Sequence, residues 1–384
     1  MLPARKIGHG NMMKISAKFL LFLLFFFIIT NLYADSNKTK PHGDKSNLPK
    51  GCASCHKGHG EYNTPMLHES RKLFCFRCHG HSQNIEKTKK TGDLAMDIQE
   101  KDLQGEFDKA YHHPIEKDSV HHFGETLPEV DPSLPRHVTC ADCHHHHYVS
   151  NDNKTAGIKG TNRQGMKTET VNVQYELCFN CHSYSANLLA DQTNKAELFD
   201  AANPSFHPVV SSGKNSDVPS LIYPLTTSSL IKCTDCHNND DPLGPKGPHG
   251  SKYEHILSKH FNISDGPEGI SEYELCYSCH NRNSILGNES FPFHDLHIVI
   301  SNISCRTCHN PHGSTQNAHL IDLDNISIWP SQSGQRGFID FGPRAGACYL
   351  NCHGKDHDPA VYPSKPSTST KTGTPSSSRH PSHR

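Results

Sequence analysis

The sequence predicts a chain of mostly irregular backbone with short α-helices, organised as four repeated modules whose core is not made of side chains. Three observations carry this. Hydrophobic residues make up only 34% of the 384 residues, too few to fill the two or three ordinary domains that such a length otherwise forms. All sixteen cysteines fall in eight motifs, in each of which the second cysteine is followed directly by histidine. Those motifs alternate between two types, four times over, as an internal repeat.

Seven of the motifs read Cys-x-x-Cys-His. They are Cys52, Cys55, His56; Cys75, Cys78, His79; Cys140, Cys143, His144; Cys178, Cys181, His182; Cys233, Cys236, His237; Cys276, Cys279, His280; and Cys305, Cys308, His309. The eighth, Cys348, Cys352 and His353, is one residue longer. This pattern is the attachment site of a c-type haem. Two thiols bond to the vinyl groups and the adjoining imidazole supplies one axial nitrogen. Residues i, i+3 and i+4 share one face of a helical turn, so both sulfurs and the ring meet one porphyrin. Zinc ribbons and disulfide scaffolds also use paired cysteines, but neither needs a histidine after every second one. The cofactor expected is therefore eight covalently bound haem c. At Cys348 the alternative is a metal-free thiol pair. A large apolar plate at each motif would supply the core that the side chains lack, and an apoprotein of this kind is expected to be unfolded.

Residues 1–34 have the layout of a secretory signal peptide: Arg5, Lys6, Lys14 and Lys18 precede an apolar run from Phe19 to Ile29, with Ala34 at a plausible cleavage point. The run is short for a membrane span, which needs about 20 apolar residues; an uncleaved anchor is the alternative. Export to the periplasm or the outer cell surface agrees with covalent haem attachment. Basic and acidic residues number 38 and 39. Cleavage removes four positive charges and no acid, leaving a mildly acidic chain and no basic face of the kind nucleic acid requires.

The alternation sets the modules. Odd motifs carry small or polar interior residues, and even ones carry an aromatic directly after the first cysteine: Phe76, Phe179, Tyr277 and Tyr349. Tyr175, Glu176, Leu177 and Cys178 nearly repeat as Tyr273, Glu274, Leu275 and Cys276. A histidine follows each odd motif, usually before glycine: His59, His249 and His312, with the run His145, His146 and His147 in that place in the second module. Another histidine precedes each pair: His42, His113, His207 and His297. The expected organisation is haem pair 1 over 35–105, pair 2 over 106–200, pair 3 over 201–290, pair 4 over 291–363, and a disordered Ser/Thr/Pro-rich tail over 364–384. Short helices are expected on the motifs, a charged helix from Ile98 to Ala110, and a loop over 210–231.

On these motifs the chain resembles the multihaem cytochromes c of the doubled-CxxCH family, over roughly residues 42–353. The resemblance implies bis-histidine haems in close-packed pairs that pass electrons along a chain, and a core made of the haems themselves. Methionine cannot be the general sixth ligand, because only Met66, Met96 and Met166 remain beyond the leader, whereas the chain has 32 histidines. The repeat singles out His42 and His59 for pair 1, His113 and His147 for pair 2, His207 and His249 for pair 3, and His297 and His312 for pair 4.

The expected function is that of an exported octahaem electron carrier with low-potential haems, in anaerobic or metal-linked respiration, and not an enzyme. Its partners would be redox proteins: a quinol-linked donor at the inner membrane and a periplasmic or outer-membrane acceptor. Two other readings stay open at this point. One is an octahaem oxidoreductase of the nitrite, hydroxylamine or tetrathionate type with one open iron. The other is a subunit of an extracellular haem filament, a homo-oligomer in which a histidine crosses between subunits.

Overall fold

In the computed structural model the described residues are 40–58, 66–69, 71–115, 137–184, 188 and 193–362. The leader, His59 and the tail beyond 362 lie outside them. Among the described residues no helix is long and apolar enough to cross a membrane.

Helix content is low and most of the backbone is irregular. Among the described residues the longest helices are Arg71–His79, Ser82–Lys90 and Gln174–His182, nine residues each. Helix formation has a costly nucleus, so segments this short hold only through what they pack against. The apolar clusters among the described residues are small. One joins Leu48, Ile85 and Leu94, another Phe179, Ala196, Phe199 and Phe206, and a third Ile303, Leu323, Ile328, Leu350 and Cys352.

The expected helix from Ile98 to Ala110 is not formed. Only the 3-10 turn Gln104–Asp108 is regular. The Oδ1 of Asp102 accepts from Gly105 N at 3.0 Å, and such a side-chain bond offers the backbone an alternative to a helix. Residues 210–231 contain no helix or strand, as the sequence indicated, apart from an isolated bridge between Leu221 and His280.

Six of the eight motifs start on a helix: Arg71–His79, Cys140–Cys143, Gln174–His182, Cys233–Cys236, Glu274–Tyr277 and Cys305–Cys308. The first lies on the 3-10 helix Gly51–Ser54. The eighth corrects the expectation of a short helix at every motif. It lies on the strand Gly346–Cys352, in a four-stranded antiparallel sheet. That strand pairs with Lys355–Tyr362 on one side and with Ile328–Trp329 and Gly337–Asp340 on the other. Its alternation explains the change: Leu350 and Cys352 turn into the apolar cluster, while the residues between them are less buried.

Candidate functional site

Three of the four odd motifs, the third, fifth and seventh, are fixed by carboxylates at their N-termini. In the third, Asp142 Oδ2 accepts from Thr139 N at 2.6 Å and from Thr139 Oγ1 at 2.9 Å. In the fifth, Asp235 Oδ2 accepts from Lys232 N at 2.7 Å. The seventh has Thr307 at the matching position, and Asp265 supplies the carboxylate from elsewhere: its Oδ1 accepts from Ser304 N and Thr307 Oγ1, both at 2.7 Å. These bonds satisfy N–H groups that a helix start leaves without partners.

Seven motif histidines each face a second histidine ring. The pairs are His56 with His147 at 6.2 Å between ring centroids, His79 with His42 at 6.0 Å, His144 with His249 at 6.2 Å, and His182 with His113 at 6.4 Å. His237 faces His312 at 6.1 Å, His280 faces His207 at 6.4 Å, and His309 faces His294 at 6.5 Å. Two ring nitrogens bound to one metal at about 2 Å each, the ordinary metal–imidazole distance, set the centroids about 6 Å apart. The seven gaps have the width of one hexacoordinate iron.

The partners follow a rule that the sequence did not show. The histidine ahead of each of the first three pairs faces the even motif of its own pair: His42 to His79, His113 to His182, His207 to His280. The histidine after an odd motif reaches back to the odd motif of the preceding pair: His147 to His56, His249 to His144, His312 to His237. These three were each expected within their own pair, and the structure places them across the module boundary. The odd motif of the last pair has no later module, and His294 of its own module faces His309. His297, the histidine expected ahead of this pair, lies three residues beyond His294 and instead faces His357 at 6.4 Å. His357 has no counterpart in the repeat, so the sequence held no signal for it.

A backbone clasp enforces the crossing. The Nδ1 of His42 donates to His146 O at 2.9 Å, that of His113 to Pro248 O at 2.7 Å, and that of His207 to Pro311 O. In each case the acceptor is the residue immediately before the crossing histidine. Two-residue ladders extend the clasp, Tyr111–His112 with Gly250–Ser251 and Ser205–Phe206 with Gly313–Ser314. The glycines after His249 and His312 are required by close approach: a Cβ on Gly250 would lie 1.7 Å from Glu106 O, and one on Gly313 2.0 Å from Leu198 O.

Tautomers suit metal binding. His144, His237 and His309 donate Nδ1 to the carbonyls of Lys154, His255 and His319 at 2.8, 2.8 and 2.9 Å. An Nδ1 proton held in this way leaves Nε2 as the free lone pair. His79 donates Nδ1 to Glu100 Oε2 at 3.1 Å, a bond that holds the Glu100 carboxyl below its ordinary range. Burial lowers His42, His113, His207, His237 and His312, takes His182, His249, His280 and His309 to about 4, and takes His294 to about 3. These rings are held neutral, the form that ligates.

Neighbouring motifs in sequence are neighbours in space throughout. The Cys75 thiol hydrogen-bonds Cys140, and Cys178 bonds Cys233. Burial chiefly raises Cys78, Cys143, Cys236, Cys276 and Cys308, and a thiol of the neighbouring motif lies close enough to add to each: Cys55, Cys181, Cys279, Cys305, and Cys348 with Cys352, in that order. The thiol sets thus form one continuous line from the first motif to the eighth.

The fit to haem c is good at seven sites: paired thiols, a motif imidazole and a second imidazole at the right separation. The family model of the doubled CXXCH motif matches residues 46–84 and 226–284, which contain the first and second motifs and the fifth and sixth. No curated protein and no solved structure matches the chain. The matched motifs are those of multihaem cytochromes c, and motifs of this spelling bind haem c covalently. The general work of that class is electron transfer, some of its members being enzymes.

Proposed function

We propose that this chain is an exported octahaem electron-transfer protein, a wire of bis-histidine haems running in sequence order. The observation that carries this is the set of seven paired imidazoles, each pair separated by the width of one iron. Bound haem supplies a one-electron redox couple, and two imidazole ligands favour low potentials. The chain's own residues do the rest. The crossing histidines and their clasps fix six of the seven ring pairs from two modules, so the geometry holds in both oxidation states. The continuous line of cysteines sets successive sites in contact.

Four two-haem modules, 35–105, 106–200, 201–290 and 291–363, are the repeat units of this wire, interlocked by the crossing histidines. Export of the chain to the periplasm or outer cell surface, through cleavage after residue 34, suits covalent haem attachment. The partners are redox proteins, a quinol-linked donor and a periplasmic or outer-membrane acceptor.

The test is electron paramagnetic resonance of the oxidised holoprotein, with carbon monoxide added to the reduced form. Low-spin signals alone and no carbon monoxide binding support a closed wire. A high-spin component equal to one haem that binds carbon monoxide would overturn it in favour of an octahaem enzyme.

A further inference from the structure

Two kinds of acceptor hold the Nδ1 protons of the motif histidines. On three odd motifs the acceptor is backbone: His144, His237 and His309 donate to the carbonyls of Lys154, His255 and His319. On the even motifs of the first and third pairs it is a side chain from another segment. Glu100 Oε2 lies 3.1 Å from the Nδ1 of His79, and Ser220 Oγ lies 2.9 Å from the Nδ1 of His280. A carbonyl is the same acceptor whatever residue carries it, whereas a side chain is an acceptor whose strength the sequence can choose. The eighth motif is outside this set: the Nε2 of His353, expected to ligate, donates instead to Asp265 Oδ2 at 2.9 Å.

Ser220 is built into the sixth motif. It lies in the 210–231 loop, yet it is only 5% exposed. Asn281 N donates to Ser220 O at 2.6 Å, and Ile222 N donates to Cys279 O at 2.9 Å. Leu221 forms a bridge with His280 between those two bonds. The loop is thus tied to the motif on both sides of the serine. The direction of the side-chain bond follows from ligation. A neutral imidazole that gives Nε2 to a metal carries its proton on Nδ1, so His280 donates and the hydroxyl accepts.

The strength of that pull matters to the ligand. A hydrogen bond to a charged acceptor is roughly twice as strong as one to a neutral acceptor. A stronger pull makes the ring more basic and favours the ferric state. Glu100 on His79 is the strong case, and Ser220 on His280 is the mild one.

We propose that Ser220 is a positioning residue that sets the reduction potential of the Cys276–Cys279 site by accepting the Nδ1 proton of His280. The proposal rests on the haem reading above and gives the 210–231 loop a role in it.

The experiment uses the full holoprotein and its Ser220→Ala and Ser220→Thr variants. Protein-film voltammetry reads the potentials and paramagnetic resonance reads the spin state. A His207→Met variant marks the couple of this site, because a thioether ligand raises the potential. The expected result is that Ser220→Ala raises that same couple and leaves all signals low-spin. The shift is about 59 mV for each tenfold loss of ferric over ferrous preference. Ser220→Thr, which keeps the hydroxyl, leaves every couple in place. No movement in Ser220→Ala overturns the proposal, as does movement of a couple other than the marked one. An equal shift in Ser220→Thr overturns it too, since packing and not the hydroxyl would then be the cause. A high-spin signal in Ser220→Ala would show the serine holding the ring in place, not setting its potential, and overturns it as well. A wild-type chain without haem defeats the haem reading itself, an outcome distinct from all of these.

Discussion

His312 faces His237 at 6.1 Å with ring planes only 3° apart, although the two belong to different repeats of the sequence. The same relationship joins His147 to His56 and His249 to His144. Each later repeat of the sequence thus sets a histidine ring against the odd-motif histidine of the repeat before it.

Replacing His312 with alanine removes a ring from a site one module away. The expected outcome is a high-spin component of about one haem in eight, assigned to the Cys233 site, with the Cys305 site unchanged. Carbon monoxide titration of the reduced variant checks the count. Loss at the Cys305 site instead would mean that the histidine serves its own module.

Gly313 has no room for a side chain. Gly313→Ala drives a Cβ into the Leu198 carbonyl, and overpacking of this kind costs about 1–3 kcal/mol. Thermal unfolding of the holoprotein should show that loss. Because the glycine is bonded to the crossing histidine, opening of the His237 site should accompany it. Gly337, which meets nothing within 4 Å, is the control and should tolerate alanine.

His59 was expected to ligate an iron of the first pair. It lies outside the described residues, and the seven ring pairs account for both motif histidines of that pair without it. His59→Ala should leave the whole protein low-spin. A new high-spin signal would show that His59, and not His147 or His42, completes one of the first two sites.

Glu100 places a carboxylate on the Nδ1 of a paired motif histidine, His79. Such a partner raises the basicity of an axial imidazole and stabilises the ferric state. Glu100→Gln should raise one of eight potentials, by about 60 mV for each tenfold change in relative affinity. Protein-film voltammetry reads it, and an unchanged set of potentials counts against this role.

Glu268 is buried and takes the guanidinium of Arg282, with its Oε1 bonded to Arg282 Nε at 2.8 Å and to Tyr277 Oη at 2.9 Å. The Arg282 bond holds its carboxyl below the unfolded value of 4.5. The stabilisation is therefore complete above that value and is lost as pH falls through the lower folded one. Glu268→Gln should cost about 2–3 kcal/mol near neutral pH. The gap from wild type should close on acidification. Denaturant unfolding across that range checks both the size and the sign.

The sequence by itself determined the chemistry. The histidine after each second cysteine named the cofactor, the low apolar content ruled out ordinary cores of that size, and the alternation of Phe76, Phe179, Tyr277 and Tyr349 with polar motifs revealed the repeat. These signals are local, written within a few residues of one another. Tertiary structure alone decided which ring meets which. His147, His249 and His312 pair with motif histidines roughly 75 to 105 positions upstream, because clasps to His146, Pro248 and Pro311 tie them to histidines that another module supplies. The eighth motif shows the same limit at short range. Its spelling, Cys348, Cys352 and His353, promised a turn of helix. The sheet that Ile328–Trp329 and Lys355–Tyr362 build around it made a strand instead, and a strand sends consecutive side chains to opposite faces. That change turned His353 to Asp265 and brought His357 to His297.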